Sequence, residues 1–471
     1  MNRRTFLATG VAASVIEPQL GLASPEATSR QASGVKVGEV TSNTAMIWTR
    51  LTVSSTRNLN GVKPVGRPKK DKSDEIPAET SKLHGACPGA AGRIRVRYGS
   101  KPDLSDAQTT SWVDVDVATD FSHVFSLKKL PEDAVTYFAV ETADPGEAGK
   151  SHGELTGSFR TAPALGQKSE VSFAVITCQM YSDLDHDDGF HIYPAIAKLK
   201  PRFVAFTGDN VYYDSEQPVA VSAALARYHW ERMYSLPRHV ELLRTTASYW
   251  EKDDHDTVKN DSWPGQKLGQ LTFAEGQKIF REQVAIGQSI YRTFRWGQFL
   301  QIWLTDGRDF RSANSMADGP EKTIWGKEQK EWLFRTVKES DATWKVLISP
   351  TPIVGPDRGN KGDNHANEAF KHEGTEIRNW FKQNVPKNFF TICGDRHWQF
   401  HSVHPDTGLN EFSVGAASDK HAGGSPGEDK NYHRFHRVKG GFLTVSASEK
   451  SILFQHRDVE GNEVYRFEVK A

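Results

Sequence analysis

Five short apolar runs from residue 171 onward each end directly on polar residues. The runs cover residues 171–176, 203–207, 299–304, 344–348 and 389–392, and helical patterns alternate with them. Alternation of apolar strands with helices predicts an α/β layered domain. In an open α/β sheet, ligands bind beyond the carboxyl ends of the strands. We therefore expect the polar residues that follow these five runs to lie close together in one site.

Four segments near these strand ends carry possible metal ligands. Three of them follow strands directly: TCQ at 177–179, GDNVY at 208–212 and GDRH at 394–397. The fourth, WEKDDHDTVKND at 250–261, has four acidic residues and a histidine within the nine positions 253–261. Like charges this close repel each other unless cations neutralise them. Any one of these segments alone would equally fit a turn or a solvated loop, so the prediction of a metal site depends on their combination.

The candidate ligands differ in chemical type, and their types indicate which metals to expect. A thiolate, a phenolate and a carboxylate on one centre suit trivalent iron, whereas surplus carboxylates suit an oxygen-preferring divalent ion such as Ca²⁺. Other divalent ions remain open. The candidate ligands are Cys178, Asp209, Tyr212, Asp254, Asn260, Asp395 and His397.

A second acidic segment, DLDHDDG at 183–189, does not fit a calcium-binding EF-hand loop. That loop needs Gly at position six and Glu at position twelve, and this chain has Gly189 at position seven and Pro194 at position twelve. We expect a polar loop at the rim of the crevice instead.

Residues 31–163 have the pattern of an all-β module. Short alternating or apolar runs are separated by Gly, Pro and Asp, which predicts a β-sandwich. Residues 58–88 form a polar insertion that includes the charged run KKDKSDE at 69–75, and we expect a solvated loop there. A linker at 163–170 leads into the α/β domain.

Residues 1–30 predict an export leader and a short linker. Arg3 and Arg4 precede Phe6 and a weak apolar run, and a plausible cleavage position follows Ala23, which together resemble a twin-arginine leader. An ordinary short apolar helix is the alternative. We expect the twin-arginine export machinery as a partner, a periplasmic or extracellular location, and no transmembrane segment in the mature protein.

The net charge and the number of cysteines exclude some kinds of partner and limit the role of the thiols. The 59 Lys and Arg residues balance 59 Asp and Glu residues, so no basic excess indicates a nucleic-acid surface. The three cysteines cannot all pair, which indicates at least one free or metal-bound thiol. We expect Cys178 to be the metal-bound one, and Cys87 and Cys393 to have no role in the site.

In this order and at this spacing, the motifs resemble those of the alkaline phosphatase D (PhoD-like) family of metallophosphatases. The resemblance covers nearly all of the mature chain. It implies a fibronectin-III-like β-sandwich at 31–163 and a four-layer α/β/β/α metallophosphatase domain at 170–471. The chain departs from the family pattern where Glu251 and Lys252 separate Trp250 from the Asp pair, and where TDG at 305–307 replaces the usual LDT. Residues 357–365 resemble only a subgroup, and their chemistry stays open.

The resemblance also implies an activity: an exported enzyme that hydrolyses phosphodiesters and phosphomonoesters with a metal-activated water at an iron and calcium centre. The seven candidate ligands would hold the metals. His255 and Arg308 would be catalytic, and Arg292 and Arg396 would bind the phosphate group, for which a guanidinium fork is well shaped. Each arginine could instead form a structural ion pair. Two other functions remain open: a phospholipase D-type hydrolase of lipid headgroups, and a metal-bearing binding protein without activity.

Overall fold

A computed structural model describes residues 29–64, 66–68, 79–146, 150–385 and 387–471. The predicted export leader, apart from its last two residues, lies outside the described residues. The same holds for residues 69–78, which contain the charged run of the predicted insertion.

The described part of the chain contains 23 β-strands and six α-helices. The N-terminal strands are β1 (Val35–Gly38), β2 (Thr44–Arg50), β3 (Gly92–Gly99), β4 (Gln108–Thr109), β5 (Val113–Val115), β6 (Ser122–Lys128), β7 (Val135–Ala143) and β8 (Glu154–Arg160). The later strands are β9 (Val171–Ile176), β10 (Phe203–Thr207), β11 (Ala247–Glu251), β12 (Lys267–Leu268), β13 (Leu271–Thr272), β14 (Arg292–Trp296), β15 (Leu300–Leu304), β16 (Trp344–Ser349), β17 (Phe389–Cys393), β18 (Gln399–Val403), β19 (Asn410–Val414), β20 (His433–Arg437), β21 (Phe442–Ala447), β22 (Ser451–Arg457) and β23 (Glu463–Lys470). The helices are α1 (Ile192–Leu199), α2 (Ala223–Tyr234), α3 (Pro237–Thr245), α4 (Phe273–Gln283), α5 (Gly326–Glu339) and α6 (Lys371–Asn384).

Two large sheets form the centre of the molecule. One has nine strands in the order β23-β22-β21-β9-β10-β11-β1-β2-β6, and the other has seven in the order β14-β15-β16-β17-β19-β18-β20. β9, β10 and β11 are parallel to one another, as are β15, β16 and β17. All five strands that the sequence predicts are present, so the ends of parallel strands do gather polar residues at one edge of each sheet.

The alternation of side chains along the strands explains the layers. Phe173 and Val175 of β9 point into a core shared by the two large sheets, whereas Ala174 and Ile176 pack against α1 to α4 on the outer face. On the other sheet, Leu347 and Phe389 pack against α5 and α6. The resulting order is helices, sheet, sheet, helices. The predicted four-layer α/β/β/α fold is confirmed.

The N-terminal part is β-rich, as predicted, and its strands belong to two different sheets. β3, β4, β5, β7 and β8 form a five-stranded sheet. β1, β2 and β6 instead extend the nine-stranded sheet, because β1 pairs in parallel with β11 at Gly38 and Ser248. The sequence indicates a separate sandwich at 31–163, but the structure shows continuous pairing across that boundary. The division into domains therefore stays a prediction. No helix in the described ranges has the length and apolar character needed to cross a membrane.

Candidate metal centre

Five of the seven candidate ligands follow β9, β10 and β17, whose carboxyl ends meet where the two large sheets face each other, and Asp254 and Asn260 follow β11. A Cβ atom on Gly394, just after β17, would lie 2.5 Å from the Thr207 hydroxyl at the end of β10. The backbone at both strand ends is therefore close enough to require glycine at this position.

Three candidate ligands adopt left-handed backbone conformations directly after their strands. The φ angles are 52° at Cys178, 51° at Asp209 and 61° at Asp395. This conformation costs a non-glycine residue about 1–2 kcal/mol, and it persists where the surrounding structure enforces it. Such residues cluster at functional sites, and here the sharp turn accompanies the gathering of their donor atoms into one group.

Four predicted ligands form the first part of the centre. Donor atoms of Cys178, Asp209 and His397 all lie within 4.8 Å of one another. The Tyr212 hydroxyl is 3.1 Å from Asp209 Oδ2 and 3.3 Å from His397 Nε2. The structure therefore brings together the thiol, phenol and carboxylate that the sequence predicts for a ferric site, and the imidazole of the predicted ligand His397 lies beside them.

Carboxylates form the second part of the centre, and Asp209 belongs to both parts. Donor atoms of Asp209, Asp254 and His255 lie within 4.8 Å of one another, and so do those of Asp209, Asp253 and Asp395. Asp253 was not among the predicted ligands. Asp209 is the residue shared by all of these groups, and it would be a ligand in both parts of the centre if metal ions were bound.

Asn260, the seventh predicted ligand, lies further out. The residue is exposed and lines the opening beside His255, and its backbone N–H donates to Asp214 at 2.8 Å. A role for its side chain in metal binding stays a prediction.

The electrostatics of the centre favour a bound cation. Burial raises the pKa of the Cys178 thiol, the Asp209 carboxyl and the Tyr212 phenol well above their usual values. Asp254 raises the pKa of Asp209 further. The buried oxygens Asp209 Oδ1 and Asp253 Oδ2 have no hydrogen-bond partner among the described residues. A buried anion without a partner lowers the stability of the fold. A metal ion would neutralise these carboxylates and bind the oxygens that have no hydrogen-bond partner. The residues present therefore fit a metal site.

His255 lies at the mouth of the centre and forms a pair with Asp214. Its Nδ1 is 2.6 Å from Asp214 Oδ1, and its ring packs against Tyr212 with centroids 4.4 Å apart. Burial alone would lower the pKa of His255, but the charges of Asp214 and Asp254 outweigh burial and raise it well above its usual value. The two carboxylates thus favour the protonated form of this imidazole, which lies beside the candidate metal ligands.

The three predicted arginines do not all reach the centre. Arg292 donates to Glu39 and to the carbonyl oxygens of Ile290 and Trp250, so its guanidinium is committed to interior contacts rather than to substrate. Its predicted role in binding phosphate has no support in this geometry.

Arg308 and Arg396 do reach the centre, from behind the carboxylates. Arg308 Nε donates to Asp253 at 2.6 Å, and Arg396 Nη2 contacts Asp395 and lies 3.2 Å from Asp357. Both side chains have no exposed surface. Both guanidinium groups are thus engaged with carboxylates of the candidate metal groups.

His421 contacts the centre, although no sequence motif points to it. Its Nε2 is 2.9 Å from the Tyr212 hydroxyl and its Nδ1 is 2.8 Å from Asp183 Oδ2. Asp183 also accepts from Arg67 at 2.8 Å. The loop at 183–189, predicted to be at the rim, thus places Asp183 against two residues that line the opening. His421 lies in a coil with no strand motif before it, so only the folded structure brings it to Tyr212.

Two clefts lie on this side of the molecule. The cleft of about 550 Å³ over the centre is lined by Tyr212, His255, His397 and His421. A larger one of about 1540 Å³ lies next to it, between residues 55–64 and α3, and it shares Lys420 with the first. Two of the candidate metal groups found among the described residues have a member that lines the smaller cleft, His397 in one and His255 in the other, and no member of any group lines the larger cleft. We therefore place the site in the smaller cleft.

The four-layer fold and this donor set define a protein of the metallophosphatase class. Solved structures with this fold include one titled "Structure of PhoD", with a TM-score of 0.70, 18% identity, and coverage of 95% of this chain and 90% of that chain. A purple acid phosphatase from yellow lupin seeds is also similar, with a TM-score of 0.62 and 12% identity over 93% of this chain and 74% of that chain. At these identities the likeness shows the fold.

Sequence comparison then gives the family. The chain matches "PhoD-like phosphatase" over residues 173–457 and "PhoD-like phosphatase, N-terminal domain" over residues 17–163. The chain belongs to the PhoD-like phosphatase family, which confirms the resemblance drawn from the motifs. It is 24% identical to the alkaline phosphatase D of Bacillus subtilis (strain 168) over 333 residues, which is 58% of this chain and 54% of that protein. The chain thus matches about half the length of that curated relative.

Proposed function

We propose that this protein is an exported, metal-dependent phosphoesterase that hydrolyses phosphodiesters and phosphomonoesters. The observation that carries the proposal is the position of Asp209. Its carboxylate belongs to every group of candidate metal ligands found in the described residues, and one of its buried oxygens has no partner. Membership of the PhoD-like phosphatase family supports the same reaction class.

The donor types divide the centre between two kinds of cation. Fe³⁺ suits the mixed set of thiol, carboxylate, phenol and imidazole donors, which are Cys178, Asp209, Tyr212 and His397. Ca²⁺ or another oxygen-preferring divalent ion suits the oxygen donors, which are Asp209, Asp254, Asn260 and Asp395. Bound cations in such a centre neutralise the phosphoryl oxygens and lower the pKa of a bound water.

In this proposal, His255 in its protonated form is the residue of the chain that transfers a proton. Because Asp214 engages Nδ1, Nε2 is the nitrogen that remains for a substrate in the cleft. We propose that His255 donates a hydrogen bond, and then its proton, to the oxygen that leaves the phosphorus. The Asp214 carboxylate holds the ring in position and stabilises its positive charge.

In this proposal, Arg308 and Arg396 contact the candidate metal ligands and not the substrate. Arg308, together with His255, outweighs burial and lowers the pKa of Asp254, so that this carboxylate stays ionised for metal binding. Burial raises the pKa of Asp395 to about 6, although the adjacent Arg396 opposes that rise. Both arginines are positioning residues here rather than phosphate-binding residues.

Metal content and hydrolysis should be tested on the same protein samples. We expect the purified protein to contain iron by elemental analysis and to hydrolyse a bis-aryl phosphate or an aryl phosphate in at least one metal of a panel. Asp209→Ala should lose both the metal and the activity. The control variant Asp114→Ala, at an 84% exposed position on β5, should retain both.

The outcomes separate the proposal from its alternatives. A wild type that binds metal but hydrolyses neither substrate would indicate a metal-bearing binding protein and refute the enzyme. Faster hydrolysis of phosphatidylcholine than of both aryl esters would favour a lipid headgroup hydrolase at the same site. A colourless sample without iron would refute the ferric assignment and leave the phosphoesterase to the divalent metals.

Export is a separate part of the proposal, supported by the Arg3–Arg4 pair. We expect the full-length chain to accumulate outside the cytoplasm of a bacterial host that has a twin-arginine pathway. Replacement of both arginines by lysine should retain it inside. Equal export of the two chains would refute this route.

A further inference from the structure

The segment at 355–367, whose chemistry the sequence leaves open, folds tightly against the metal centre. Asn364 Nδ2 donates to Asp357 at 2.8 Å and to Asp363 at 3.1 Å, and Asn367 Oδ1 accepts from the backbone N–H of Asp363 at 3.2 Å. Asp363 is fully buried. These contacts give the segment a defined shape.

Arg396 joins the segment to the carboxylate part of the centre. Its Nη2 lies 3.2 Å from Asp357, 3.3 Å from Asp363 and in contact with Asp395, the candidate ligand next to it in the chain. One guanidinium thus holds two acidic residues of the segment and one candidate metal ligand. The backbone between Asp357 and Asp363 is thereby fixed beside Asp395.

Lys361 lies between those two acidic residues and reaches toward the same carboxylates. Its Nζ donates to Asp261 Oδ1 at 2.8 Å and lies 3.5 Å from Asp363 Oδ2. Its positive charge also acts on the candidate ligands Asp254 and Asp395. The ammonium group is therefore a cation that belongs to the chain and lies at the carboxylate part of the centre.

Exposure separates Lys361 from the arginines around the centre. The side chains of Arg308 and Arg396 have no exposed surface, whereas Lys361 is 17% exposed and its partner Asp261 is 30% exposed. A partly open ion pair can exchange partners at small cost, because solvent and a long flexible side chain make such pairs weak. A phosphate oxygen can replace Asp261 as the acceptor of the ammonium without burying an unpaired charge.

We propose that Lys361 binds a phosphoryl oxygen of the substrate, at the side of the centre formed by Asp254 and Asp395. In the free protein, the ion pair with Asp261 keeps the ammonium group in this position. The inference rests on the proposed phosphoesterase function and adds a substrate-binding residue to it. A second consequence follows from the same charge: Lys361 weakens the binding of a divalent cation to the neighbouring carboxylates, because like charges repel.

The alternative is that Lys361 only ties the segment to Asp261. The two roles differ in what a neutral side chain changes. A structural ion pair affects folding stability and leaves the affinity for phosphate unaltered. A substrate-binding ammonium affects the affinity for phosphate as well. The change in metal affinity follows from the charge in either role, and it reports that the ammonium lies close to the carboxylates.

The experiment compares Lys361→Met, Lys361→Arg and the control Lys330→Met in the full chain. Lys330 is 20% exposed and pairs with Glu376 at 2.6 Å on the outer helices, so it matches Lys361 in burial but not in location. The probes are inorganic phosphate as a competitive inhibitor of aryl ester hydrolysis, and Ca²⁺ titrated calorimetrically into metal-free protein. Thermal unfolding is measured for every variant.

We expect Lys361→Met to raise KM and the phosphate inhibition constant about tenfold and to tighten Ca²⁺ binding several-fold. Lys361→Arg should stay near the wild type in both, and Lys330→Met should change neither. If Lys361→Met unfolds too readily for this comparison, Lys361→Gln, which keeps a polar side chain, is measured in the same way. Unchanged phosphate inhibition in an active Lys361→Met or Lys361→Gln protein would overturn the inference alone, whatever the Ca²⁺ affinity. An inactive wild type that binds no metal would overturn the proposed function, and this inference with it.

Discussion

Replacement of Arg308 by methionine tests whether this arginine serves the ligands or the substrate. The guanidinium is fully buried, donates to Asp253 Oδ1 at 2.6 Å and to the Ser262 carbonyl at 3.2 Å, and lies 3.8 Å from Asp254 Oδ2. Removing one partner of a buried ion pair typically costs about 3–5 kcal/mol, because the other charge stays buried without compensation. Unfolding a chain of 471 residues carries an entropy of about 1 kcal/mol per degree, so the melting temperature of the metal-free protein should fall by about 3–5 °C.

The same substitution should weaken metal binding. Arg308 is the strongest of the charges that hold the pKa of Asp254 below its usual value, so its loss makes this carboxylate easier to protonate. We expect lower affinity for a divalent cation, measured calorimetrically near neutral pH, with KM for the aryl ester unchanged once metal is saturating. As a control, Arg335→Met removes an exposed pair with Glu339 on α5 and should shift the melting temperature by less than about 0.5 °C.

A double-mutant cycle sharpens the assignment. Asp253→Asn combined with Arg308→Met should cost less stability than the sum of the single substitutions, because the two groups lose their charges together. An Arg308→Met protein that melts within 1 °C of the wild type, binds metal normally and has a raised KM would refute this role of Arg308. That pattern would assign Arg308 to the substrate, as the sequence first indicated.

Three further predictions concern single residues. Tyr212→Phe should abolish the visible charge-transfer absorption of the iron-loaded protein, and an unchanged spectrum would exclude Tyr212 as the phenolate ligand. His456 is buried, Nε2 contacts the Ser413 carbonyl at 2.9 Å, and burial lowers the pKa of His456 to about 3. Because the unfolded chain takes up this proton near pH 6.5 and the folded chain does not, stability should fall as pH drops, by about 2 kcal/mol at pH 5 from this residue alone. Denaturant titrations of His456→Gln should therefore show a shallower loss between pH 7 and pH 5, and a slope equal to that of the wild type would contradict this account. Glu411→Gln should lower stability by about 1–3 kcal/mol, since this buried carboxylate accepts from three successive backbone N–H groups at 2.6, 3.1 and 2.8 Å. Thermal unfolding measures the loss, and a neutral effect would refute it.

The sequence predicts the ligands that follow strands because their local pattern carries the information. An apolar strand that runs into Gly-Asp, as at Asp209 and Asp395, predicts both the strand and a sharp turn after it. The structure agrees, with left-handed backbone at both residues. Residue type then limits the chemistry, so Cys178 could be separated from Cys87 and Cys393 by its position at a strand end. These predictions need no knowledge of distant contacts.

Residues brought in by coils could not be predicted in the same way. Asp214 and His421 contact His255 and Tyr212 through loops whose sequence shows no periodicity. The roles of the arginines were ambiguous for a related reason. The neighbouring residues in the chain do not show whether an arginine binds phosphate or a buried carboxylate. Only the packing of Arg308 against Asp253 distinguishes them.

Arg292 shows how the N-terminal strands support the metal centre. Instead of binding substrate, Arg292 joins Glu39, just after β1, to the carbonyl of Trp250 on β11, three residues before Asp253. β1 also covers the edge of β11, and a Cβ atom on Gly38 would lie 2.1 Å from the Ala285 carbonyl oxygen, so the fit at this junction is close. A chain that started at residue 170 would expose the β11 edge and leave the buried Arg292 charge without its carboxylate. The N-terminal strands therefore stabilise β11, the strand that precedes the acidic candidate ligands. The candidate metal centre depends on these strands, although they supply none of its donor atoms.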